Sequence, residues 1–250
     1  MLTSFGHTEM DSGAVILAAG KGTRMRSHLP KPLVPVGGQP MVLRLIESLR
    51  EAGVGAISAV VGHGAEQLRV ALPAGVATPY QAVRSGTADA VACAEDSMVG
   101  VGRVFVLVGD SPLLSPQAVQ QLYREHCDTG AACSFLTADF GKSFPYARVL
   151  RDESGSVLGC VEERDCTPQQ RTITEYLTSH YLFDADALWP MLAQIPRHPE
   201  TKERYLTDII GLLLGAGKTV HAVSIPDWRE LVGLNTPEDV AWAEEILREA

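Results

Sequence analysis

The stretch LAAGKGTRMRSHLPK, Leu17 to Lys31, follows a short apolar run from Gly13 to Ile16. A strand of that kind running into two glycines, Lys21, Arg24 and Lys31 makes a flexible, cationic turn. Glycines let backbone N–H groups approach a ligand, and the cations neutralise a bound anion, so the turn suits phosphate. It is neither the dinucleotide fingerprint nor a P-loop, since it lacks both the later glycine of the first and the G-K-[ST] ending of the second. Pro30 sets the backbone just before the second lysine.

Moving outward, Val42, Leu45, Ile46 and Leu49 recur at helical spacing and Gly53 is placed to end that helix. Ala56 to Val61 reads as a buried strand and Ala65 to Leu72 as a helix. Strand, loop, helix and strand in succession predict βαβ units, a parallel sheet, and strand-to-helix loops gathered on one edge, where open α/β sheets bind ligands. A third loop on that edge holds Gln81 and then Ser85-Gly86-Thr87-Ala88. Thr87 reads as the N-cap of a helix from Ala88 to about Met98, which leaves the Gly86 and Thr87 amides for a ligand. Gln81, donor and acceptor at once, can read a base edge or serve as a loop polar residue.

Val104 to Val108 is a strand-length apolar run ending in Gly109-Asp110-Ser111-Pro112. Asp110 then lies at a carboxyl strand end, where it either holds a Mg²⁺ ion bridging phosphate oxygens or opens the turn before a helix capped by Ser115 with Pro116 at its first position. In the second half, Arg148 to Arg151 and Ser156 to Glu162 flank Asp152-Glu153-Ser154-Gly155 as a hairpin, Tyr176 to Phe183 reads as a strand, and Leu188, Met191 and Leu192 mark a helix. A helix over Tyr205 to Leu214, a strand over Thr219 to Ile225, and a last helix opening at Thr236-Pro237-Glu238-Asp239 follow. The fold class expected is α/β: a Rossmann-like, mostly parallel sheet flanked by helices, with a small mixed β lobe over the substrate cleft. Residues 1–12 are expected to be a loose leader and 13–250 one domain, with a nucleotide-binding half (13–130) and an acceptor-binding half (131–250).

Composition narrows the function classes. Lys+Arg 21 against Asp+Glu 30 leaves a net charge of −9, which argues against a nucleic-acid surface and makes the cations near the opening turn a local feature. Five cysteines without a C-x-x-C suggest neither a zinc site nor a disulfide framework, and fit a reduced cytoplasm. No run reaches the ~18 apolar residues of a membrane span, and the N-terminus lacks a signal-peptide pattern.

Taken together, LAAGKGTRM, LPK, GHG, the Q-x-x-x-x-G-T run, GDSPLL, YARVLRD with GCVEERD, YLTDII and GLNTPED occur in register over nearly the whole chain from Ala14 onward. So ordered, they resemble the sugar-phosphate nucleotidyltransferases, and within them the uridyltransferase domain of the bacterial bifunctional N-acetylglucosamine-1-phosphate uridyltransferases. The resemblance implies that Leu17, Ala18, Ala19 and Gly20, with Gly22 and Thr23, surround the nucleotide. It also implies that Gln81, Gly86 and Thr87 read a uracil. Arg24 would grip the triphosphate, Lys31 would sit between the reacting phosphates, and Asp110 and Asn235 would hold Mg²⁺. Asn235 owes its metal role wholly to the resemblance.

The implied reaction joins UTP to a sugar 1-phosphate, of N-acetylglucosamine-1-phosphate type, and releases pyrophosphate. The partners implied are a nucleoside triphosphate and a small phosphorylated acceptor, with neither nucleic acid nor membrane. Departures from the family pattern lie on the acceptor side. The family's Tyr-Gly-Arg reads Tyr146-Ala147-Arg148 here, and its Glu-x-Asn-Thr-Gly reads Glu175-Tyr176-Leu177-Thr178-Ser179. The acceptor-side candidates are Ala147 and Leu177, which depart from the pattern, with Thr178 and with Glu162, which is retained and would hold a sugar hydroxyl. Transfer of CMP, dTMP or GMP to a non-standard sugar or cyclitol phosphate is the rival activity, and a catalytically silent binding domain of the same fold is the rival class. No hexapeptide repeats of an acetyltransferase β-helix occur before Ala250, so no acetyl-CoA chemistry is expected.

Overall fold

Strand β1 (Met10–Leu17) is buried on both faces: Ala14 and Ile16 enter one apolar layer and Val15 another. That two-sided burial is why its sequence is a continuous apolar run rather than an alternating one. The computed structural model describes residues 10–249. The strand begins three residues before the expected Gly13, so residues 10–12 belong to the sheet and not to a leader. The leader expected over residues 1–9 lies outside the described residues.

The chain continues through a two-residue ribbon, β2 (Pro35–Val36) and β3 (Gln39–Pro40), into helix α1 (Met41–Ala52). Helix α1 buries Met41, Val42, Leu45, Ile46 and Leu49 as its periodicity predicts, and ends at Gly53, whose φ of 98° only glycine adopts readily. Then come β4 (Val54–Val60), α2 (Ala65–Ala71), α3 (Thr87–Ala92), β5 (Arg103–Val108), α4 (Pro116–Thr129) and β6 (Cys133–Asp139). Ser115 caps α4, its hydroxyl accepting from the Ala118 N–H at 3.1 Å. Hairpin β7 (Ala147–Arg151) and β8 (Val157–Val161), strand β9 (Glu175–Asp184), α5 (Ala185–Leu192), α6 (Ile209–Gly215), β10 (Val220–Ser224) and α7 (Pro237–Glu249) complete the fold.

The main sheet has the order β10-β6-β9-β5-β1-β4, parallel except for β9, which runs antiparallel between β5 and β6. The hairpin joins it through Ala147↔Leu177 and Arg148↔Tyr176, so the mixed lobe is continuous with the sheet. From β1 the chain goes to β4 on one side, and from β4 it returns past β1 to β5 on the other. This reversal puts a crevice at the carboxyl ends of β1 and β5. Among the described residues no helix is long and apolar enough to cross a membrane.

Two helices differ from expectation. The helix expected over residues 88–98 stops at Ala92 and gives way to a separate 3₁₀ turn at Glu95–Met98. Thr87 does not cap it; the Thr87 hydroxyl accepts from the Leu206 N–H at 2.9 Å instead. The helix expected from Tyr205 starts as a 3₁₀ turn at Leu206–Asp208 before α6 proper.

Between the pairs Phe135↔Tyr181 and Thr137↔Leu177, the single residue Leu136 of β6 faces Thr178, Ser179 and His180 of β9. Ser179 takes the strain of this bulge at φ 65°. His180 is fully buried there, Nδ1 within 2.9 Å of the Thr178 hydroxyl and Nε2 without a partner. Burial pushes the His180 imidazole down to about 4, against a smaller upward pull from the Asp110 carboxylate. The unfolded chain takes up this proton near pH 6.5 and the folded protein resists it. Stability is therefore intact above about pH 6.5 and falls as pH drops toward 4, by roughly 3 kcal/mol in total. Urea unfolding at pH 7 and pH 4.5 should show His180→Leu losing about 2–3 kcal/mol less than the parent between the two. Equal losses would remove His180 from the acid limb.

Candidate active site

The crevice is a cleft of about 630 Å³ whose walls come from well-separated segments of the chain. Its floor is the backbone leaving β1, held by the Ala18 N–H donating to Val60 O at 3.0 Å and the Gly109 N–H donating to Leu17 O at 3.0 Å. Met25, buried in the middle of the cationic turn, and Leu33, buried just past Lys31, anchor the turn to the core. Gly22 is required inside it. A Cβ there would lie 2.4 Å from the Lys31 Cβ, at a φ of 59°. That close approach lays the Lys31 stem along the turn and carries its ammonium to the cleft centre.

There Lys31 Nζ forms an ion pair with Asp110 and donates to Asn235 Oδ1 at 2.7 Å. Arg24 Nη2 donates to the same oxygen at 2.8 Å. Asn235 is oriented by its own amide, whose Nδ2 donates to Gly233 O at 2.8 Å, leaving Oδ1 for the cations. Its backbone N–H donates to Asp239 Oδ2, and the Thr236 hydroxyl accepts from the Asp239 N–H, so the start of α7 is a reciprocal cap that fixes the turn. Four residues from three widely separated segments thus meet at one point, cations on one side and oxygen donors on the other.

Oxygen donors of this kind suit a hard cation. Asp110 Oδ1 is buried without a partner, and Asn235 supplies an amide oxygen beside it. The described residues contain no cluster of three or more His, Cys, Asp or Glu. A cation here would therefore take its remaining ligands from phosphate and water, the coordination Mg²⁺ favours.

Every nucleotide-side residue named from the sequence lines this cleft: Leu17, Ala18, Ala19, Gly20, Gly22 and Thr23 on one wall, Gln81, Gly86 and Thr87 on the other. Gln81 is buried, with its backbone N–H donating to Val61 O at 2.9 Å and Nε2 donating to Gly86 O at 3.1 Å. The four acceptor-side candidates are not in the lining. Ala147 and Leu177 are cross-strand partners buried in the apolar layer that also holds Leu206 and Ile209. Thr178 is buried against His180. Glu162 accepts from the Thr207 hydroxyl at 2.6 Å, and burial raises its carboxyl above the ordinary range while that hydrogen bond opposes the rise.

Sequence reading assigned no role to Arg84, Glu203 or Tyr205, which also line the cleft. Glu203 and Tyr205 are alternate residues, and the Tyr205 hydroxyl donates to Glu203 Oε2 at 2.6 Å. Tyr205 opens the YLTDII motif, and that placement was the signal available for the pair. Arg84 sits in a loop with no pattern to mark it.

A family model described as MobA-like NTP transferase domain matches residues 14–206. The bifunctional protein GlmU of Pelobacter propionicus is 40% identical over 238 residues, covering 94% of this chain and 52% of that protein. GlmU of Clostridium novyi is 40% identical over 242 residues (96% and 53%), and that of Exiguobacterium sibiricum 38% over 240 residues (96% and 54%). The chain spans about half the length of these curated relatives. The matched segment opens within β1, takes in the cationic turn, the Gln81 loop and Asp110, and ends as the Tyr205 wall is complete: the chain belongs to the MobA-like NTP transferase domain family.

Proposed function

We propose that the protein forms a nucleotide-diphospho-sugar and pyrophosphate from UTP and a sugar 1-phosphate. The observation that carries this reading is the meeting of Lys31, Arg24, Asp110 and Asn235 at the cleft centre. A phosphate oxygen of the acceptor attacks the α-phosphorus, and the bond to the bridging oxygen of the β-phosphate breaks, so that pyrophosphate leaves. The attacking monoester has a second pKa near ~6 and is largely dianionic at neutral pH, so no side chain need remove a proton. Positioning and charge neutralisation suffice for such chemistry.

Lys31 and Arg24 supply cationic donors where negative charge moves onto the bridging and leaving oxygens. A Mg²⁺ ion held by Asp110 and Asn235 would add charge neutralisation of the phosphate oxygens. Gly86 O takes one of the two Gln81 Nε2 hydrogens, which orients the side-chain amide, and Gln81 Oε1 remains as an acceptor. That acceptor matches the N3–H of uracil or thymine, the contact this reading assigns to Gln81.

Ala147 and Leu177 put apolar side chains where the family resembled in sequence has glycine and asparagine, which favours an acceptor other than N-acetylglucosamine 1-phosphate itself. The test is pyrophosphate release from UTP, dTTP, CTP and GTP, each against N-acetylglucosamine 1-phosphate, other hexose 1-phosphates and cyclitol phosphates, with Mg²⁺ present. Turnover with UTP and one sugar 1-phosphate is expected. Turnover confined to CTP or GTP would overturn the base assignment, and silence across the panel would favour a binding domain.

A further inference from the structure

The turn that carries Asn235 is not held by the cleft residues alone. Tyr146, the residue before β7, points its hydroxyl at this turn and accepts from the Gly233 N–H at 3.0 Å. On the other side of the same residue, Gly233 O accepts from Asn235 Nδ2 at 2.8 Å. The next N–H, of Leu234, donates to Asp110 O at 2.9 Å. Gly233 also packs directly on the Asp110 carboxylate, since a Cβ there would lie 3.0 Å from Oδ1. The orientation of Asn235 Oδ1 toward the cations depends on the Gly233–Leu234 peptide, whose carbonyl takes the Asn235 amide and whose N–H is held by Asp110 O, and the Tyr146 hydroxyl holds the preceding Val232–Gly233 peptide, on the other side of the Gly233 Cα.

Tyr146 is itself immobilised. Its ring stacks on Phe144 (centroids 5.9 Å apart, planes 3° apart) and meets Phe140 edge-on at 5.9 Å. The adjacent residue, Ala147, opens β7 and pairs with Leu177. Two successive residues thus face two different regions of the protein, one the turn bearing Asn235 and the other the apolar layer on the acceptor side.

From this geometry we infer that Tyr146 is a positioning residue for the divalent-cation side of the cleft, tying the Gly233–Asn235 turn to β7, the strand that opens with Ala147. The inference rests on the nucleotidyltransferase reading of the cleft. Burial pushes the Tyr146 phenol up to about 12, so the hydroxyl keeps its proton through the range in which the protein would be assayed.

Tyr146→Phe removes the hydroxyl and keeps the ring in its stack. Mn²⁺ binding to the full chain with a non-hydrolysable UTP analogue, read by electron paramagnetic resonance, should weaken about fivefold, the effect of losing one neutral hydrogen bond. Turnover of the variant should fall at limiting Mg²⁺ and recover at saturating Mg²⁺, while binding of the analogue without a cation stays unchanged. Phe144→Leu disturbs the same aromatic stack without touching the turn and should leave Mn²⁺ affinity within about twofold of the parent. Unchanged Mn²⁺ affinity in Tyr146→Phe, or an equal shift in Phe144→Leu, overturns the inference. A parent protein inactive across the whole nucleotide and acceptor panel counts instead against the proposed function.

Discussion

Lys31→Met is expected to lower kcat by about 10²–10³-fold, the scale seen when one preorganised donor is removed from a site of developing negative charge. Methionine keeps an unbranched stem to pack against Gly22, which approaches Lys31 too closely to carry a Cβ. The change therefore removes charge with little disturbance of the turn. KM for the nucleotide should rise only a few-fold, because Arg24 and Lys21 still line the cleft as cations. Lys31→Arg should not rescue turnover. The ammonium fits between Asp110 and Asn235 Oδ1 as a compact charge, and a planar guanidinium presents its donors in a different fork. Steady-state kinetics of both variants, with thermal unfolding as a check on folding, decide the matter. A Lys31→Met enzyme with kcat within about threefold of the parent would remove Lys31 from the chemistry.

Much of this cleft is legible in the sequence because its components are local. The run into Leu17, the glycines after it, the apolar strand before Asp110 and the Thr236-Pro237 cap each declare themselves within a short window. What joins them is not local. Asn235 looks like a polar residue before a helix until the fold brings it 2.8 Å from Arg24, 211 positions away. Thr87 shows the same limit from the other direction. It has the residue type and place of an N-cap, and the Leu206 N–H, 119 positions away, takes its hydroxyl instead. The antiparallel insertion of β9 between β5 and β6 is also unreadable from periodicity, since a strand buried on both faces looks alike in either direction. On the acceptor side, Ala147 and Leu177 are visible as departures from a pattern, but only the pairing of β7 with β9 shows that they are cross-strand neighbours.

The largest loss of stability is expected at Gly86, where the fold and the base contact proposed for Gln81 depend on one residue. Its φ is 121°, a conformation that L side chains rarely adopt, and a Cβ would fall 2.2 Å from Arg204 O and 2.5 Å from Arg204 N. Those backbone atoms cannot step aside cheaply. Arg204 N–H donates to Ser85 O at 2.8 Å, Ala88 N–H donates to Arg204 O at 3.0 Å, and the Arg204 guanidinium donates to Asp89 at 2.6 Å. Gly86→Ala must therefore break or strain both of those backbone hydrogen bonds, at about 3 kcal/mol in all. For a chain of this size that is a fall of roughly 6–12 °C in the unfolding midpoint. Because Gly86 O also holds the Gln81 amide, KM for the nucleotide should rise about tenfold or more, as expected when a buried polar group loses its partner. Gly20 provides the contrast. A Cβ on Gly20 would meet nothing within 4 Å, and its φ is not in the left-handed region. Gly20→Ala should leave the unfolding midpoint unchanged and still weaken nucleotide binding, because only a bound ligand would meet the added methyl. Should Gly20→Ala bind nucleotide as the parent does, the glycine turn would be a device of folding alone, and its role in approaching phosphate would be lost.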